Sequence, residues 1–105
     1  MTLWLIRSTF ASKDEAIFTA RTLLEEKLIA CANIEEGIIS LYHWEGTTQQ
    51  ENEISFIAKT SDSKVKEAMA RIKSLHSYQI PSIIAWKIDE AHAAFADWVE
   101  TETSR

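Results

Sequence analysis

The sequence predicts an α+β fold, an antiparallel sheet with two helices on one face, from three observations. Apolar runs of β-preferring residues alternate with amphipathic stretches in the order strand, helix, strand, strand, helix, strand, helix. The two strands in the middle, Cys31 onward, read as one long hairpin turning at Gly46. Both longer helices carry a start signal followed by an apolar stripe. The order β-α-β-β-α-β with a short closing helix is the ferredoxin-like sandwich, and one such domain is expected across residues 1–105.

Leu3 to Phe10 is the first strand, apolar and β-preferring. The run Met1–Arg7 lacks a basic leader and a long apolar core, so it is expected to be strand rather than signal peptide. Ser12-Lys13-Asp14-Glu15 has the form of a capping box, with hydroxyl and carboxylate satisfying reciprocal amide donors. The helix it starts has Ala16, Ala20, Leu23, Leu24 and Leu28 at helical spacing. Cys31 to Glu45 would span roughly 50 Å as a strand, against a radius of gyration of about 13 Å for a domain of this size. The strand must bend or overhang, and Gly37 is the place for a bulge. A return strand is expected at Ile54–Ala58. Asp62 or Ser61 is expected to cap the second helix, with Val65, Met69, Ile72 and Leu75 on one stripe. Pro81 bars continuation, Ile83–Ile88 is the fourth strand, and Phe95, Trp98 and Val99 mark the closing helix. The tail Thr101–Arg105 is expected to be disordered.

Strands one and four are apolar on both alternating faces: Leu3/Leu5 and Trp4/Ile6 in the first, Ile83/Ala85 and Ile84/Trp86/Ile88 in the fourth. A two-layer sandwich with one wetted face would alternate instead. The aromatic, overhanging hairpin would likewise expose an apolar patch and open edges. Both features point to association with further copies of the chain.

A net charge of −5 argues against a nucleic-acid binder, which would gather Lys and Arg. No apolar run approaches the roughly 20 residues needed to span a bilayer, so membrane insertion is not expected. With one cysteine and no export signal, a reducing cytoplasm is the expected compartment.

Cys31 and His76 are the candidate metal ligands, since a thiolate with an imidazole suits copper or zinc and thiolate favours Cu(I). Their spacing is no motif. A lone cysteine heading an apolar strand is also a small buried hydrophobe, and a histidine ending a helix is also a C-cap. Tyr42, Trp44, Tyr78 and Trp86 can line a ligand pocket or pack a subunit interface. Lys59 is a candidate anion contact or an ordinary strand-end charge. Glu45 and Glu53 flank the hairpin turn as solvated acids, His43 and His92 sit on a strand surface and a first helical turn, and no organic cofactor is expected. No phosphate loop, zinc-finger spacing, nucleophile elbow or HExxH is present.

Three blocks resemble the CutA family of divalent-cation tolerance proteins: Glu25–Ile34, Ser40–Gly46 together with Glu53, and Leu75–Ala85. Asp97-Trp98-Val99 resembles its closing motif. The resemblance implies the ferredoxin-like fold, a homotrimer packed around a threefold axis, and a link to copper, Cu(II) or Cu(I), or another divalent metal. It also implies similarity to trimeric nitrogen-regulatory proteins, which bind small effectors between subunits. Ser77 stands where the family usually has proline, Ser82 where it often has glutamate, and His43 where an aromatic is common. The expected function is a non-enzymatic, trimeric metal-binding or metal-response protein. The alternative is a trimeric signalling or scaffold protein that binds a small ligand or partner protein at inter-subunit clefts.

Overall fold

The structure, a computed structural model, describes residues 2–104. These form β1 (Leu3–Phe10), α1 (Lys13–Glu25), β2 (Cys31–Trp44), β3 (Thr47–Ser61), α2 (Val65–Leu75), β4 (Ile83–Ile88) and α3 (Ala93–Thr103). The sheet order is β2-β3-β1-β4, every neighbouring pair antiparallel. This is the ferredoxin-like arrangement the sequence predicts. Met1, in the expected amino-terminal strand run, and Arg105, in the expected tail, lie outside the described residues.

Alternation sorts the side chains of the sheet into two faces. Ile6 and Phe10 of β1, with Ile54, Phe56 and Ala58 of β3, meet Ala16, Ala20 and Leu23 of α1 and Val65, Ala68 and Ile72 of α2 in the main core. On the opposite face α3 covers one end, where Val99 packs on Leu3 and Ala30, with Ile88 and Phe95 beside them. The rest of that face stays open: Ile84 is 53% and Trp86 40% exposed.

Helix α1 starts with half of the expected capping box. Ser12 Oγ accepts the Glu15 N–H at 3.2 Å, but the Glu15 carboxylate turns away and accepts from Ser77 instead. The helix also ends earlier than its apolar stripe suggests. Lys27 adopts φ 59°, its N–H donates to Leu24 O, and Leu28 N–H reaches back to Leu23 O, which is a Schellman stop with lysine in the position glycine favours. Leu28 is therefore buried from outside the helix, and Leu24 is exposed.

Neither Asp62 nor Ser61 caps α2. Its N-cap is Lys64, with no side-chain hydrogen bond. Asp62 Oδ1 accepts from Trp4 Nε1 at 2.9 Å, and Ser61 Oγ accepts from Thr103 Oγ1 at 2.8 Å. That last bond also corrects the expected disorder at the tail, since Thr101–Thr103 continue α3 and Thr103 is buried.

The hairpin is longer than expected on its return side. β3 begins at Thr47, not Ile54, because the polar run Thr47–Glu53 pairs residue for residue with Ile38–Trp44. Those residues lack the alternating apolar pattern of a half-buried strand because their stretch overhangs the body as an arm. The register shifts between Glu35 and Ile38, with Gly37 at φ 86°, so the bulge lies where the sequence places it. Glu45 and Gly46 turn the arm with two successive positive φ values, 50° and 81°, as a two-residue hairpin turn requires. The arm stretches the molecule to 44 Å in one direction against 26 and 21 Å in the others.

Candidate functional site

On the open face, the root of the arm and the segment after α2 enclose a cleft of about 740 Å³. Ser40, Tyr42 and Trp44 of β2 project into it beside Gln49, Glu51 and Glu53 of β3. The far wall is Tyr78, Gln79, Ile80 and Ser82, and the floor is Arg7 and Thr9 of β1.

Two tyrosine–carboxylate pairs organise this cleft. Tyr42 donates its hydroxyl to Glu51 Oε1 at 2.8 Å, and Tyr78 donates to Glu53 Oε2 at 2.5 Å. Glu53 is 7% exposed, the more deeply buried of the two acids. The hydrogen bond to Glu51, then burial and the nearby carboxylates, push the Tyr42 phenol above its ordinary value. Burial first, then the bond to Glu53 and the charges of Glu53 and Glu51, push Tyr78 further up. Both phenols are thus held as neutral donors. Among the described residues, no lysine or arginine forms an ion pair with Glu51 or Glu53, and Arg7 is paired with no acid.

Tyr78 is held from behind by His76. The imidazole has no exposed surface and stacks on Phe10 at 4.3 Å with 12° between the planes. Nδ1 accepts the Tyr78 N–H at 3.2 Å, which places the ring proton on Nε2, donated to Thr9 O at 2.8 Å. The β1–β4 pairing ends at Ser8, so the Thr9 carbonyl has no strand partner on that side and the imidazole satisfies it. Glu15 Oε2 lies 3.8 Å from Nδ1. Its hydrogen bonds go to Ser77, N–H at 2.9 Å and Oγ at 3.0 Å, rather than to the ring.

The predicted metal pair is not brought together within the protomer. Cys31 lies opposite Lys59, and His76 is bonded beside Thr9, itself opposite Ser55. Four residues of β3 separate those positions, roughly 13 Å along the strand. Both imidazole nitrogens are already engaged, leaving no lone pair for a metal. Burial raises the Cys31 thiol above its ordinary value, with Lys59 opposing the shift, so the thiolate a metal needs is disfavoured. Among the described residues, no three His, Cys, Asp or Glu side chains cluster as a metal site. His76 is the C-cap residue of α2, its N–H donating to Lys73 O at 3.3 Å, but its ring bonds to Thr9 of β1 rather than to the last carbonyls of the helix.

Of the other predicted residues, Tyr42, Trp44 and Tyr78 line the cleft. Trp86 lies on the same face opposite Leu5, beyond the cleft. Lys59 Nζ donates to Asn33 Oδ1 at the far end of the hairpin. Glu45 sits in the turn, away from Glu53, which opposes Ile38 at the arm's root. Arg7, Glu15, Glu51 and the inward role of Glu53 escape a reading of the sequence, although Gln49, Glu51 and Glu53 at alternate positions mark one strand face. His92 is the N-cap of α3 without a side-chain bond.

Residues 4–102 match the model of the CutA1 divalent ion tolerance protein family. A divalent-cation tolerance protein CutA of Thermus thermophilus is 35% identical over 95 residues, covering 90% of this chain and 92% of its own. The CutA1 crystal structure from Ehrlichia chaffeensis superimposes with a TM-score of 0.94 at 35% identity, covering 98% of this chain and 96% of that one. The structure described as the periplasmic divalent cation tolerance protein CutA of Archaeoglobus fulgidus gives 0.93 at 36% identity, over 97% and 99%. Sequence and backbone agree along nearly the whole chain, and the chain belongs to the CutA1 divalent ion tolerance family.

Proposed function

We propose that the chain works as a non-enzymatic, homotrimeric binding protein in the response to divalent metal, with the cleft at the root of the arm as its ligand site. The observation that carries this reading is the cleft itself: aromatic walls, two carboxylates bonded to neutral phenols and one unpaired guanidinium around about 740 Å³. The trimer is supported by the exposed Ile84 and Trp86 and by the arm, whose Ile39 and Leu41 are 62% and 65% exposed. It matches what the family resemblance implies.

Copper held jointly by Cys31 and His76 does not fit one protomer, because the imidazole has no free nitrogen and the thiol resists ionisation. In this reading copper, or another divalent ion, is what the protein responds to rather than a resident cofactor. A cytoplasmic location belongs to the same reading, and cell fractionation decides it. Among the described residues no helix is long and apolar enough to cross a membrane.

The test joins sedimentation equilibrium with a thermal-shift screen of metabolites, Cu(II) and Zn(II). The expected result is a trimer at submicromolar protein and a small-molecule hit lost in Trp44→Ala. A stable monomer, or saturable Cu(II) binding abolished by Cys31→Ser, overturns the reading.

A further inference from the structure

We propose that His76 is the positioning residue of the cleft: through Tyr78 it fixes the Glu53 carboxylate, and with it the root of the arm, against the body of the fold. The contacts run without a gap from core to arm. The imidazole is locked by its stack on Phe10 and its bond to Thr9 O. Its Nδ1 holds the Tyr78 N–H, and the two rings lie 4.7 Å apart. The Tyr78 hydroxyl then reaches Glu53, the residue opposite Ile38 at the first pair of the arm beyond the bulge. Glu15 anchors Ser77 between them, so two successive residues of this segment are tied to the body and the third to the arm.

The arm needs such a tie. At the bulge the ladder is interrupted and the strand bends, so hydrogen bonding along the hairpin does not by itself set the arm's angle. An ion pair across this region, Lys13 to Glu36 at 3.5 Å, joins two exposed side chains and contributes little. The Tyr78–Glu53 bond is part-buried, its acceptor Glu53 is buried, and it is charge-assisted, the stronger kind. A ligand donor entering the cleft competes with Tyr78 for Glu53, so occupancy and arm position are coupled. That coupling rests on the cleft being the ligand site. The tie itself is tested on ligand-free protein, so its failure is distinct from an empty ligand screen.

Hydrogen exchange is measured on the unmodified protein, Tyr78→Phe and His76→Phe. Amides of Ile38–Trp44 and 47–53 should exchange roughly tenfold faster in both variants, the factor a hydrogen bond to a charged group carries. Amides of β1 and α1 should keep their rates. His76→Asn, whose Oδ1 can take the Tyr78 N–H, should restore most of the arm's protection, and in a Tyr78→Phe background His76→Phe should add no further exchange, because both act through the Tyr78–Glu53 bond. Unchanged arm exchange in Tyr78→Phe, loosening spread evenly over the molecule, or additive loosening in the double variant overturns the proposal. If His76→Phe does not fold, Tyr78→Phe and His76→Asn decide it by the same readouts.

Discussion

Glu15, in the first turn of α1, grips Ser77 with both carboxylate oxygens, 62 residues along the chain, one on the N–H and one on the hydroxyl. A proline at position 77 would offer neither donor. Both bonds go to the same carboxylate and both are exposed, so Ser77→Ala, which removes one, should cost about 1 kcal/mol, and Glu15→Ala, which removes both, about 2 kcal/mol. Urea denaturation measures both. Equal losses would show that the backbone N–H contributes nothing.

Lys27 holds a left-handed conformation at the end of α1 with φ 59°. Glycine adopts that conformation without the Cβ penalty, so Lys27→Gly should stabilise the fold by about 0.5 to 1 kcal/mol. A rise in the denaturation midpoint at unchanged slope is the expected outcome. A fall would mean that the lysine side chain supports the fold in some other way.

Both phenols in the cleft are pushed above their ordinary values. For such a group the folded state holds the proton more tightly than the unfolded state. Its stabilisation is complete below the unfolded phenol value of about 10 and is lost as pH rises through the folded one. Stability should therefore decline above about pH 10, and Tyr78→Phe should flatten that decline. Melting curves across the alkaline range check this, and a Tyr78→Phe profile parallel to the parent's would contradict it.

Trp44 lines the cleft on the arm, whereas Trp98 stacks on Phe95 within α3 at 5.8 Å. Trp44→Ala should make melting depend on protein concentration, and Trp98→Ala should lower it at every concentration alike. Buried aromatic truncations cost about 3 to 5 kcal/mol, and these partly exposed rings should cost less. Concentration-independent melting of both variants would remove Trp44 from the interface.

Element order, the bulge at Gly37, the turn at Gly46 and Ala16, Ala20 and Leu23 of the α1 stripe were legible because each follows from local chemistry and periodicity. The polar half of β3 was not, since Thr47–Glu53 forms a strand through its partner rather than through its own pattern. Caps were misread where a distant residue outbid the local one: Trp4 takes Asp62, Thr103 takes Ser61, and Ser77 takes Glu15. Tyr42, Trp44 and Tyr78 were found as an aromatic set, but their carboxylate partners depend on register. His76 drew notice as an imidazole, while its two bonds, to a carbonyl where β4 ends and to the N–H of Tyr78, are visible only in three dimensions.

The interruption at Gly37 also acts as a change of reading frame. Before it, even-numbered residues of β2 such as Ala32 and Ile34 lie opposite Ala58 and Phe56 of the core. After it, even-numbered Ser40, Tyr42 and Trp44 lie opposite Glu51, Gln49 and Thr47 on the other side of the sheet. Deleting one residue there would restore the frame and exchange the two sides of the arm, turning Ser40, Tyr42 and Trp44 away from the face that carries Gln49, Glu51 and Glu53. A single glycine thus decides which half of the alternating sequence from 38 to 44 shares a sheet face with Glu51 and Glu53, and a change of length at that point would matter more than most substitutions within the cleft.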